Sequence, residues 1–199
     1  MGRHLLVWDA PNIDMTLANI IDGRPTSKER PDLAVLGRWL VEQAGDEDVE
    51  AAVFINVAAH VAGPLRGWVL WLLEQGFRVF AKPKVGDSDV DDDMIAHLQA
   101  RQRAGDLTAV YVASNDAKAF TAPLRELVLD RVEVTVLGFA EYAGGLSVLP
   151  ELRFVDLESI TGLFSEPLPR ITLDRLPETG QWFEPMGRLG GISGLRAPN

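Results

Sequence analysis

Residues 4–12, HLLVWDAPN, restrict the fold of this chain more than any other stretch. Leu5, Leu6, Val7 and Trp8 form an unbroken apolar run that stops abruptly at Asp9. A strand with one wet face alternates apolar and polar residues. A short run without alternation instead reads as a strand buried on both sides, as in a parallel sheet covered by helices. Pro11 has no backbone N–H for a ladder and bounds the strand. Asp9 and Asn12 then fall at a strand's carboxyl end, where open α/β sheets take up ligands. A plainer reading uses the same residues, with Asp9 capping a following helix and Asn12 forming a turn.

The rest of the chain continues this pattern. Apolar runs near residues 51–57, 77–81, 109–113 and 132–137, with a short one at 154–155, predict further strands. Between them, helical periodicity covers 14–22, 32–44, 65–75, 91–104, 121–129 and 157–164. Pro31 and Asp32 open the second of these helices, with Leu33, Leu36, Leu40 and Val41 on one face. Trp68, Leu72 and Leu73 are the expected inward residues of the third, and Met94, Ile95 and Leu98 those of the fourth. The alternation predicts an α/β fold in three layers, with a central, mostly parallel sheet of five to six strands and helices on both faces. This domain spans residues 1–164. From Ser165 to Asn199, Pro167, Pro169, Pro177, Pro185 and Pro198 are mixed with five glycines and the periodicity vanishes, which predicts an extended or partly disordered tail. Trp182, Phe183 and Met186 are its candidates for docking on the domain, on a second copy or on a protein partner.

With 199 residues, 47% of them hydrophobic and 24% charged, the chain is long enough for one well-filled core. No apolar run approaches the roughly 20 residues of a membrane helix. Arg3 is followed by no signal-like segment and cysteine is absent, so a reducing compartment, the cytoplasm, is expected. A net charge of −10 is unusual for a protein that grips phosphates. Carboxylates that hold divalent cations, however, would count as negative here and be neutralised in the working protein.

Acid does gather at strand ends. Asp9 follows the first strand, Asp116 follows the fourth, and residues 87–93, DSDVDDD, follow the third across a short loop. In a parallel sheet these ends share one edge, where clustered carboxylates repel unless a cation joins them. Oxygen ligands without cysteine suit Mg²⁺ or Mn²⁺. The acidic run also fits a helix start favoured by the dipole with no ion at all. His60 and His97 are isolated, and His97 lies one to two turns into the acidic helix, within reach of a metal or a phosphate. No glycine-rich loop follows the first strand and no GxSxG elbow occurs, which argues against dinucleotide folds, P-loops and α/β-hydrolases.

The order Asp9-x-x-Asn12, then Val90-Asp91 opening a helix, then a strand running into Ser114-Asn115-Asp116 resembles the NYN domain, a member of the PIN-like, metal-dependent ribonuclease superfamily. The resemblance covers residues 3–139, with residues 134–138 similar to the family's closing strand. Asp9 and Asn12 match its first motif and Asp91 its second, with Asp89, Asp92 and Asp93 as neighbouring alternates. The third motif usually reads Ser-Gly-Asp-x-Asp-Phe. Here Ser114 and Asp116 match, Asn115 replaces Gly, and Lys118 stands where the second Asp is expected.

The resemblance implies a PIN-like, Rossmannoid domain and an endoribonuclease leaving 5′-phosphate and 3′-hydroxyl ends. Asp9, Asp91, Asp116 and Asp93 would bind Mg²⁺ or Mn²⁺, and Asn12 would orient a ligand water or a phosphate oxygen. Arg24, Lys28, Arg30, Lys82, Lys84, Arg101, Arg103 and Lys118 are the expected basic rim for single-stranded or structured RNA. Asp87, Asp89 or Asp93 could stand in for the acid replaced by Lys118. The alternative is a non-catalytic RNA- or protein-binding adaptor that keeps the fold.

Overall fold

A computed structural model of the chain describes residues 2–86, 88–143, 150–170 and 176–183, apart from the side chains of Ala117 and Lys118. One sheet of six strands lies at the centre: β1 (Arg3–Asp9), β2 (Asp48–Val57), β3 (Arg78–Pro83), β4 (Leu107–Ala113), β5 (Glu133–Gly138) and β6 (Arg153–Asp156). Their spatial order is β3-β2-β1-β4-β5-β6 and every pairing is parallel. Parallel neighbours need crossovers, and five helices supply those that join β1 through β5: α1 (Ala10–Ile20), α2 (Leu33–Ala44), α3 (Ala62–Glu74), α4 (Asp91–Ala104) and α5 (Ala117–Leu129).

The alternation of side chains along the strands divides the core in two. Leu6, Trp8, Val53 and Ile55 point to one face and pack under α1, α2 and α3 through Ile13, Leu17, Leu36 and Leu72. Leu5, Val7, Ala52 and Phe54 point to the other and meet α4 and α5 through Met94, Leu98, Phe120 and Leu124. Leu5, Leu6 and Val7 are 0% exposed and Trp8 is 3% exposed, so the uniformly apolar first strand is buried on both sides as expected. The architecture is the three-layer, Rossmann-like α/β fold that the alternation predicts.

The differences from expectation have local causes. The first helix starts at Ala10 rather than near residue 14, because Pro11 sits in its first turn, where no N–H partner is needed. Leu73 and Val41, expected inside, are 51% and 54% exposed. A helix is expected over 157–164, but only a single 3-10 turn, Leu157–Ser159, forms there; Gly162 at φ +77° then turns the chain away. The first residues of the expected tail belong to the domain. Leu168 is 5% exposed within the core, and the Arg170 guanidinium pairs with Glu141 and Glu158. Trp182 is 95% exposed and does not dock on the domain; Met186 lies outside the described residues.

Candidate functional site

The order of the strands makes a crevice beside β1. The chain leaves β1 through α1 and α2 on one face, whereas it enters β4 from α4 on the opposite face. At such a reversal the connections diverge and leave a gap at the carboxyl edge of the sheet. Asp9 ends β1 and residues 114–116 follow β4, so both border the gap. The acidic segment follows β3, a strand at the sheet's edge. It nevertheless reaches the centre, because α4 crosses over β1 and β4 on its way to the next strand. Its N-terminal Asp91 is thereby carried toward Asp9 and Asp116.

Asp9 is 2% exposed and both its oxygens are engaged. Oδ1 accepts the backbone N–H of Asn12 at 3.0 Å and caps α1, so the plainer helix-cap reading of Asp9 holds as well. Oδ2 accepts the Ser114 hydroxyl at 3.2 Å. Burial, together with the negative charges of Asp91 and Asp116, pushes the Asp9 carboxyl up to about 7 against the two hydrogen bonds. Asp91 is pushed up to about 6 by burial and by the charges of Asp89, Asp116 and Asp92. Asp116 caps α5 by accepting the N–H of Ala119 at 3.2 Å, while its own N–H donates to Ser114 Oγ at 3.1 Å. The three acids that the sequence places at strand ends therefore share one electrostatic environment.

A second layer holds the strand ends together. Asn12 Oδ1 accepts the N–H of Asn115 at 2.8 Å. The Asn115 amide in turn donates to the carbonyl of Phe139 at 3.1 Å and accepts its N–H at 3.3 Å, which ties in the end of β5. Gly138 leaves room for this side chain, since a Cβ at that position would stand 3.0 Å from Asn115 Nδ2, closer than ordinary contact. Asn12 Oδ1 is thereby committed to Asn115. Sequence reasoning also missed Asn56, at the end of β2, whose side-chain amide donates to the Ser88 carbonyl at 2.8 Å and anchors the acidic loop. A polar residue inside the apolar run VFINV was the available signal.

Other expected site residues lie apart from this cluster or are paired within it. Asp93 accepts from Lys82 Nζ at 2.5 Å, so each neutralises the other, whereas Asp92 and Asp89 are exposed at the helix start. Lys84 Nζ donates to the Ser88 carbonyl at 2.6 Å. Arg30 forms a bidentate pair with Asp14, with Nη2 2.8 Å from Oδ2, and shares a cleft of about 580 Å³ with Arg24. Lys28 is exposed and its carbonyl accepts from Ser165. Arg103 is exposed near the C-terminal end of α4. Arg101 does not belong to the rim. It lies ten residues along α4 from Asp91, about 15 Å by helix rise, and pairs with Glu50. His97 also faces Glu50 and stacks near Phe54, so it does not serve the acidic pocket. The side chain of Lys118, and all of Asp87, lie outside the described residues.

The donor chemistry suits a hard cation: carboxylates, a hydroxyl and amide oxygens, with no sulfur. The spacing is looser than a finished site. Among the described residues, no three carboxylate or imidazole groups are gathered closely enough to grip a single ion.

Among the described residues no helix is long and apolar enough to cross a membrane. No protein-family profile matches the chain, and no curated protein does. Among solved structures, the chain is similar to a protein of unknown function from Vibrio parahaemolyticus, VPA0982, with a TM-score of 0.62 and 17% sequence identity over 79% of this chain and 94% of that one. At that identity the likeness is one of fold.

Proposed function

We propose that this chain is a metal-dependent endoribonuclease of the NYN type, with Asp9, Asp91 and Asp116 as the acids that hold Mg²⁺ or Mn²⁺. The observation that supports the reading is the convergence of Asp9, Asp91 and Asp116 at the crevice beside β1, where burial and neighbouring negative charge raise the Asp9 and Asp91 carboxyls. Charge stored in this way disfavours the empty pocket and favours the occupied one. When bound, the ion supplies Lewis-acid stabilisation of the phosphate and a water of lowered pKa.

The protein's own groups do the rest. Helices α1, α4 and α5 all begin at this edge, so three N-terminal dipole ends face an incoming phosphate. Ser114 and the Asn12 N–H hold Asp9 in one orientation, and the Asn12–Asn115–Phe139 clamp prevents the strand ends from drifting apart. A water oxygen bonds to phosphorus while the bond from phosphorus to the 3′ oxygen breaks, leaving 5′-phosphate and 3′-hydroxyl. Because Arg30 and Lys82 are already paired, the grip on RNA falls chiefly to Arg24, Lys28 and Lys84 and to the helix ends.

The test is incubation of the full chain with end-labelled RNA and Mn²⁺, alongside Asp9→Asn and Asp116→Asn. Cleavage that needs the metal and is lost in both variants supports the nuclease. RNA retained but uncut under every metal condition supports an adaptor that keeps the fold, and hydrolysis of free nucleotides but not of oligonucleotides would indicate a small-molecule phosphohydrolase.

A further inference from the structure

Helix α3 is out of balance with its surroundings. Of its thirteen residues, AGPLRGWVLWLLE, only Leu72 is fully buried. A helix this apolar normally has neighbours on most sides. Its outward face, opposite Leu72 on a 100° helical wheel, carries Gly63, Arg66, Gly67, Leu70, Leu73 and Glu74, all of them exposed. Leu70 and Leu73 are 49% and 51% exposed.

Among the described residues nothing packs against the two glycines. A Cβ at either would meet nothing within 4 Å, yet glycine inside a helix costs about 1 kcal/mol relative to alanine. What a bare backbone at positions 63 and 67 does allow is close approach by another helix.

The pattern also says which helix. About a two-fold axis through Leu70, an antiparallel second copy places Arg66 opposite Glu74, Glu74 opposite Arg66, and Leu73 opposite Gly67. Neither Arg66 nor Glu74 has an ion-pair partner among the described residues. Each cation meets an anion, Leu73 meets Gly67 and Leu70 meets its own copy on the axis, which is the self-complementarity that an isologous interface requires. We infer that α3 is the dimer interface of this protein, formed by antiparallel packing against α3 of a second copy around Leu70, with reciprocal Arg66–Glu74 pairs. The helix spans about 20 Å, so its patch is small against the roughly 800 Å² per partner of a standard interface. The dimer is accordingly a weak, micromolar one. This inference is independent of the nuclease reading.

Sedimentation equilibrium of the full chain across micromolar concentrations tests it. The expected result is a monomer–dimer equilibrium. Arg66→Glu alone and Glu74→Arg alone each weaken the dimer about tenfold or more. An equimolar mixture of the two forms a heterodimer, and the double variant regains self-association, because all four charges again face opposites. Gly67→Ala raises the melting temperature of the dilute monomer while weakening the dimer. A chain that stays monomeric throughout overturns the inference, as does a dimer indifferent to the charge reversals or a mixture that fails to associate. Circular dichroism and melting of each exposed-site variant separate loss of association from loss of fold.

Discussion

Asn12 and Asn115, 103 residues apart in sequence, are joined by a 2.8 Å hydrogen bond from the Asn115 backbone N–H to the Asn12 side-chain oxygen. This bond ties the first turn of α1 to the end of β4 across the crevice beside β1. Asn12→Ala leaves that half-buried N–H without its acceptor, at an expected cost of about 1–2 kcal/mol. For a chain of this size the loss reads as a fall in melting temperature of about 2–8 °C. Metal-dependent RNA cleavage at a temperature well below the melt should drop further than stability does, since the clamp sets the spacing of Asp9 and Asp116.

Asp9→Asn should separate stability from function. Asn at this position still accepts the Asn12 N–H and still meets the Ser114 hydroxyl, but carries no charge into a site that is 2% exposed. Thermal melting at pH 8 in chelator should show the variant more stable than wild type by about 1–2 kcal/mol, with cleavage abolished. A variant less stable than wild type would mean that the charge of Asp9 is better compensated than its burial implies.

Gly138→Ala should be costly despite its small size. The added carbon would stand 3.0 Å from Asn115 Nδ2 and 3.1 Å from Oδ1, and Asn115 cannot retreat without breaking both of its bonds to Phe139. Urea unfolding should show a loss of about 1–3 kcal/mol. Gly63→Ala, in open space on a helix, should instead gain about 0.4–1 kcal/mol at concentrations where the chain is monomeric.

At the opposite end of the sheet Glu50 is buried among Arg3, Arg78, Arg101 and His97. His97 Nε2 lies 3.3 Å from a Glu50 oxygen but is too poorly aligned for a hydrogen bond. Burial holds the His97 imidazole below its ordinary value, aided by the positive charges of Arg101 and Arg78, against the pull of Glu50. The folded state therefore binds fewer protons than the unfolded state in mild acid, so stability falls as pH drops below the unfolded value of about 6.5 and this contribution is flat above it. Unfolding free energies between pH 5 and 7.5 should show the slope, and His97→Gln should reduce it. Glu50→Ala, which leaves three guanidinium groups around a vacated anion, should cost about 3–5 kcal/mol.

Under the proposed function, Lys118→Asp introduces an acid where the NYN motif has one. Titration with Mn²⁺ should show metal affinity, and with it the cleavage rate, rising about tenfold or more. An unchanged affinity would mean that this position plays no part in holding the ion.

The sheet was legible because a strand buried on both faces has no room for polar residues. The runs Leu5–Trp8 and 109–113 therefore announce parallel central strands without reference to anything distant. The helix start at Asp32 was legible for a similar reason, since a cap is a local bond between neighbours in sequence, and the start at Asp91 because acids in a first turn suit the helix dipole. The candidate acids could be named for their places at strand ends. The sequence held no sign that Asp93 would be spent on Lys82, that Arg30 would be spent on Asp14, or that Arg101 and His97 would converge on Glu50. Those pairings depend on strand order and on α4 crossing the sheet, which bring together side chains that share no local pattern. Which acids meet, and which cations remain for a ligand, was decided by the tertiary structure alone, because charges interact through space and not along the chain.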